Sequence, residues 1–149
     1  NLDLARVRGI ETELEARLSR DWRLIASHLY TDARVVEASQ QPALEGKRLA
    51  QVPENTAALS LRYSNPSIVT GAVTARYVGQ QFEDDLNTLP LGSFIVFDVV
   101  LSRAVTRWSE VFVAVENLFD RTYATGRTTE GVITTGTPRF VHGGLRVSF

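Results

Sequence analysis

From Val141 to Phe149 the chain alternates without a break. Val141, Gly143, Leu145, Val147 and Phe149 fall on one side of an extended strand, and His142, Gly144, Arg146 and Ser148 fall on the other. A period of two with one apolar and one polar set predicts a β-strand between an apolar and a wet environment. The same period recurs upstream. It predicts strands over about Gly9 to Leu18, Trp22 to Val36, Thr56 to Tyr63, Ile68 to Val78, Ser93 to Arg103 and Ser109 to Glu116. In the third, Ala57, Leu59, Leu61 and Tyr63 oppose Thr56, Ala58, Ser60 and Arg62; in the first, Ile10, Thr12, Leu14, Ala16 and Leu18 oppose Glu11, Glu13, Glu15 and Arg17.

The links between these strands alternate in length. Ser19 to Asp21, Ser64 to Ser67 and Ala104 to Arg107 are tight, whereas Glu37 to Asn55, Gly79 to Gly92 and Asn117 to Pro138 are long and polar. In an up-and-down sheet every second link lies at the same end, so all the long loops share one end. Outer-membrane barrels have this asymmetry, with short periplasmic turns and long extracellular loops. A strand of about 9–11 residues also suffices to cross a bilayer at a tilt. Aromatic residues mark the tight-turn end: Trp22, Tyr63, Trp108 and Phe149 are all expected there, as a periplasmic girdle of rings with one apolar body and, in Trp and Tyr, one polar tip. Tyr30 lies eight residues beyond Trp22, close to the height of an apolar band at the opposite interface.

Composition changes this picture little. The 149 residues have the length of one domain, and 44% hydrophobic content resembles an ordinary soluble protein, a resemblance that misleads for barrels because only alternate residues of a transmembrane strand meet lipid. The longest strongly apolar stretch, Phe94 to Leu101, is interrupted by Asp98, so no helical span is expected. The absence of cysteine excludes a disulfide framework and thiolate metal ligation. A formal charge of −1 gives no reason to expect nucleic acid as a partner. The absence of Met and a start within the approach to a strand suggest a piece of a longer polypeptide.

Two segments carry a family resemblance. Val113 to Tyr123, with Asn117, Leu118, Phe119 and Asp120 at its centre, resembles the stretch before the final strand of TonB-dependent outer-membrane receptors. Gly136, Thr137, Pro138, Arg139 and the terminal strand ending in Phe149 resemble the ending of the same family. Weaker similarities are Gly9 to Glu11, Pro53 to Ala57, and the pair Phe97 and Asp98. The resemblance implies a barrel of about 22 strands closed by a plug. It also implies import of siderophore-iron, haem, cobalamin or glycans with energy from the inner-membrane TonB system. Residues 1–149 would then be the C-terminal segment of that barrel, with the plug and the remaining strands as missing partners and the terminal strand as an assembly signal.

The charged residues that alternate with apolar ones are Glu11, Glu13, Glu15, Arg17, Arg62, Arg76, Asp98, Glu116 and Arg146. Arginine on the lipid face at mid-bilayer costs about 2–4 kcal/mol, so these are expected to face the lumen, to pair across strands, contact a plug or line a substrate path. Arg121, Tyr123 and Arg127 in the last long loop are candidates for meeting a small-molecule ligand from outside. The tract Glu83, Asp84 and Asp85 lacks the spacing and glycine of a calcium loop. His28 and His142 are too far apart in sequence to claim a metal site, and Gly143 and Gly144 have no following helix to cradle a phosphate. No nucleophile–base arrangement and no cofactor site is read, so an enzyme is not expected.

The expected fold is therefore all-β: an antiparallel up-and-down meander of about seven strands in a transmembrane barrel. A smaller autonomous barrel and a soluble sandwich or lipocalin-like module are the alternatives. The sandwich requires Leu59, Leu61, Val73, Phe97 and Val99 to form a sealed core.

Overall fold

The computed structural model describes residues 3–148. Eleven strands follow in chain order: β1 (Leu4–Arg17), β2 (Trp22–Glu37), β3 (Asn55–Asn65), β4 (Val69–Val78), β5 (Gln81–Phe82), β6 (Pro90–Leu91), β7 (Phe94–Thr106), β8 (Ser109–Glu116), β9 (Ala124–Arg127), β10 (Ile133–Thr135) and β11 (Phe140–Val147). Among the described residues one 3-10 turn is present, at Pro42–Leu44. Seven of the strands make one antiparallel meander in the order β1-β2-β3-β4-β7-β8-β11, each paired with the next long strand in sequence. The expected meander is the observed one. The four short strands form two hairpins inside the long loops, β5 with β6 and β9 with β10.

Register follows the hydrophobic pattern, because a slip of one residue would move every side chain to the wrong face. Trp22 pairs with Tyr63, Leu24 with Leu61 and Ala26 with Leu59; Leu59 pairs with Ala75, Ala75 with Phe97, and Val73 with Val99. Val113 then pairs with Leu101 on one side and Gly143 on the other. Directly opposed residues share a face, so these rows build one continuous apolar surface. Its Leu14, Leu59, Val73, Leu101, Val113 and Leu145 are all exposed. A second layer does not cover it, and the sealed core demanded by a soluble sandwich is not formed. An apolar surface of this extent marks contact with lipid or a partner.

Near the long loops the two faces exchange character. Ile10 pairs with Tyr30 on the apolar face, but beyond them Arg8 opposes Asp32 and Arg6 opposes Arg34 on that same face. The other face becomes apolar there. Val35 is buried in a cluster with Ala38 and Leu44, with Leu49 packed alongside, and Ala33 is buried as well. The switch explains why alternation did not reveal the start of β1, which begins at Leu4, five residues before the expected strand: apolar and polar positions trade faces there.

The glycine pair of β11 has a packing cause. β11 runs alongside β8 with unbroken register. A Cβ on Gly143 would lie 2.7 Å from the Phe112 carbonyl oxygen, and one on Gly144 would lie 2.9 Å from the Phe112 ring. Close approach of β8 accounts for both.

Candidate functional site

All nine charged candidates lie on the face opposite the apolar one. Glu13 sits in the row that continues through Ser27, Ala58 and Arg76, and Glu15 in the row through Ile25, Ser60, Thr74 and Asp98. Arg17 opposes Arg23, and Arg23 opposes Arg62, so three guanidinium-bearing residues stand side by side near the tight turns. Glu11 opposes Leu29, Glu116 opposes Phe140 and Arg146 opposes Glu110. The face is not uniformly polar: Val100 lies in the Arg62 row, and Phe112 lies beside Ser102.

Several of these charges pair across strands. Arg23 meets Glu15 at 2.9 Å, Arg76 meets Asp98 at 2.8 Å, and Arg146 meets Glu110 at 2.6 Å. Arg17 instead donates to the carbonyls of Ser19 and Arg20 at the first tight turn. Before this face lies a hollow of about 640 Å³, lined by Arg17, Arg23, Ser60, Arg62 and Thr74 among others. Sequence reasoning missed Arg23 and Glu110. The less clean alternation of β2 hid the first, and the second sits one residue into β8, where few alternating neighbours flank it.

The family-like motif forms a clamp at the base of the last long loop. Asn117 has a φ of 50°, a left-handed conformation that asparagine tolerates better than most residues, and it is buried. Its side-chain amide donates to the carbonyls of Arg121 at 2.9 Å and Thr137 at 3.0 Å, while its side-chain oxygen accepts the Arg121 N–H at 2.9 Å. Its own N–H donates to Asp98 at 3.0 Å, and the Leu118 N–H donates to the Phe97 carbonyl. Asp120 accepts the Arg139 N–H at 2.8 Å, just beyond Pro138. The two halves of the motif, about twenty residues apart, are thus one hydrogen-bonded unit. Phe119 turns to the apolar face and meets Phe97 edge-on at 5.3 Å.

The loop candidates divide. Tyr123 stacks on Phe94 at 4.0 Å and also fills the space beside Gly136, so its ring is committed to packing. Arg121 and Arg127 are exposed. In the acidic tract, Asp84 accepts N–H groups from Thr88 and Leu89 and the Thr88 hydroxyl. Burial opposes its charge, but these three donors outweigh it and hold the carboxyl below the usual aspartate range. Asp84 therefore organises its own turn.

The tryptophan and tyrosine rings of the sheet keep to its two ends. Trp22 and Tyr63 are cross-strand neighbours with centroids 4.9 Å apart, and Trp108 stands at the β7–β8 turn with the Arg107 guanidinium 4.7 Å above its ring. Phe149 lies outside the described residues. At the other end Tyr30 is joined by Tyr77 and Phe119, both exposed.

An antiparallel meander with one bare apolar face, one charged face and ring belts at both ends defines the wall of an outer-membrane β-barrel. Residues 1–118 match the family described as TonB dependent receptor-like, beta-barrel. The chain belongs to this family of receptors. The chain is 36% identical over 126 residues to the ferrichrome outer membrane transporter/phage receptor of Escherichia coli, covering 79% of this chain and 16% of that protein. It is 26% identical over 121 residues to the ferrioxamine receptor of Yersinia enterocolitica, covering 77% and 17% respectively. Among solved structures, the ferric yersiniabactin uptake receptor of Yersinia pestis superposes with a TM-score of 0.85 at 24% identity, over 97% of this chain and 24% of that one. The chain thus spans about a sixth of the length of the curated relatives it matches.

Proposed function

We propose that the chain is the C-terminal part of the pore wall of a TonB-dependent receptor that takes up a siderophore-bound metal or similarly scarce small nutrient across the outer membrane of a Gram-negative bacterium. The observation that carries this reading is the sheet itself: an uncovered apolar face backed by cross-strand ion pairs, in a chain of this family. In the complete receptor the apolar face meets lipid and the charged face lines the lumen. There Glu11, Glu13, Glu15, Arg17, Arg62, Arg76, Asp98, Glu116 and Arg146 meet a plug and water, and inner-membrane TonB acts through that plug. The long loops face outside and the C-terminus faces the periplasm. Arg121 and Arg127 present cationic groups where an anionic ligand would arrive.

The test uses the full-length receptor in a Gram-negative strain deleted for its own siderophore receptors. Growth under iron limitation on ferrichrome or ferrioxamine, dependent on an intact TonB, is the expected result. Failure to restore growth or cellular iron uptake with any of a panel of ferric siderophores overturns the uptake reading.

A further inference from the structure

Tight turns join β1 to β2, β3 to β4 and β7 to β8, and a short turn fixes the register of the strands it connects. No such turn joins β8 to β11. Residues 117–139 separate them and include the β9–β10 hairpin. Alternation does not choose their register either, because a slip of one residue exchanges the faces of a strand but a slip of two restores them. β8 presents Val111, Val113 and Val115 to the apolar face. After a slip of two, apolar positions of β11 again meet valines.

The two directions of slip are unequal. One would set Pro138 opposite Glu116 and Arg139 opposite Val115, placing a residue without an N–H in the ladder and an arginine on the apolar face. The other sets His142 opposite Glu116, Leu145 opposite Val113 and Val147 opposite Val111, and meets no such obstacle. Two features of the charged face favour the observed register: the Arg146–Glu110 pair, and Gly144 beside the Phe112 ring. The pair is exposed and contributes little. Both form only once the strands already lie side by side.

The clamp at the base of the loop has no such requirement. Asn117 donates to the Thr137 carbonyl and Asp120 accepts the Arg139 N–H, immediately beside Glu116–Phe140, the first pair of the β8–β11 ladder. A slip of two would carry Thr137 and Arg139 about 7 Å along the strand direction. Neither bond would then reach. On its other side the clamp is anchored to β7, through the Asn117 N–H on Asp98 and the Leu118 N–H on the Phe97 carbonyl.

We propose that this clamp selects the register of the last hairpin during folding: Asn117 and Asp120 capture Thr137 and Arg139 in the transition state and seat Phe140 against Glu116 before β11 pairs along β8. The motif thereby has an assembly role at the loop end of the strand, independent of what the receptor carries.

The experiment refolds the full-length receptor from urea into lipid vesicles and reads folding and unfolding rates by heat-modifiable mobility. Asn87 supplies the comparison. It too has a positive φ, of 58°, and its amide bonds the Arg48 N–H at 2.8 Å and the Arg48 carbonyl at 2.9 Å, but it joins two loops and abuts no pair of long strands. N117A is expected to slow folding about five-fold and to leave unfolding nearly unchanged, whereas N87A is expected to speed unfolding alone. Register is read by oxidative cross-linking in outer membranes, in a receptor otherwise free of cysteine. V111C/L145C is directly opposed in the observed register, and V113C/L145C only in the slipped one. Diagonal positions lie too far apart for a disulfide. The V113C/L145C link is expected in N117A and not in the parent. An N117A receptor that folds at the parent rate and unfolds faster overturns the proposal, as do an equal slowing in N87A and an N117A receptor without the slipped link. Should N117A yield no folded receptor, D120A loses only the Arg139 bonds and takes its place. A smaller slowing is expected there, and the same results overturn the proposal.

Discussion

The side-chain amide of Asn117 donates to the Thr137 carbonyl at 3.0 Å, tying the end of β8 to the approach of β11 across the whole last loop. The same side chain holds Arg121 from both sides, and the Asn117 N–H ends on Asp98 in the charged wall. Loop and wall are therefore mechanically joined at one residue.

N117A strands the Arg121 and Thr137 carbonyls and the Arg121 N–H together. Arg121 and Thr137 are themselves exposed, so each lost hydrogen bond is worth about 0.5–1.5 kcal/mol and the three together are expected to cost about 1.5–4.5 kcal/mol in the full-length receptor. The loop between Arg121 and Thr137 is expected to become protease-sensitive before the barrel melts. N117G relieves the φ of 50° without restoring the bonds, and is expected to stay close to N117A. Proteolysis followed by mass spectrometry reads both.

Asp98 serves two donors, Arg76 and the Asn117 N–H. D98A is thus expected to destabilise more than R76A, because it also leaves the buried end of the clamp unsatisfied. Groups in one network couple by about 0.5–3 kcal/mol. A double-mutant cycle between positions 98 and 117, by thermal unfolding in detergent, should give a non-zero coupling; strict additivity counts against the joined network.

Alternation makes a sharp prediction at two adjacent positions. L59R places a charge on the apolar face near the middle of β3 and is expected to cost about 2–4 kcal/mol if that face meets hydrocarbon. S60R points to the charged wall beside Thr74 and Ile25, and is expected to be tolerated. The fraction of heat-modifiable, folded receptor in outer membranes distinguishes the two.

Much of this architecture was legible because period two is imposed by the surroundings. Leu59 and Leu61, or Val111 and Val113, alternate for as long as one face meets an apolar medium. Where that medium ends the code ends as well, which is why Arg6 and Arg8 disguised the start of β1. The hairpins β5–β6 and β9–β10 were not anticipated, since strands of two to four residues are too short to show a period. Tyr123 illustrates a different limit. Its type suited a ligand contact, and only the stack on Phe94 reveals that the ring is already engaged. The pairing of Arg23 with Glu15 likewise depends on register, which no single strand contains.

The Asp84 turn has a defined acid response. Its carboxyl is held below the ordinary aspartate range, so the native loop favours the charged form. That contribution is present above the unfolded pKa of about 3.9 and is lost as pH falls through the lower folded value. Hydrogen exchange at the Thr88 and Leu89 amides is expected to remain slow at pH 5 and to rise below about pH 4, after correction for intrinsic rates. In D84A the protection should be absent throughout.

Gly143 and Gly144 face different neighbours and should respond differently. At Gly143 an added Cβ meets the Phe112 carbonyl, which cannot move without disturbing the sheet. G143A is therefore expected to cost about 1–3 kcal/mol, the usual range for overpacking. At Gly144 the obstacle is the Phe112 ring, so F112L is expected to rescue G144A and not G143A. Melting temperatures of the single and double variants decide this.

The long strands succeed one another in the sheet as they do in the chain, always in opposite directions. A neighbouring pair of such strands behaves as a removable module. Deleting or duplicating one up-and-down pair restores the original direction of travel, keeps each remaining residue on its face and returns every long loop to its own end. Circumference can therefore change during evolution in steps of one hairpin, whereas the loss of a single strand would reverse everything downstream of it.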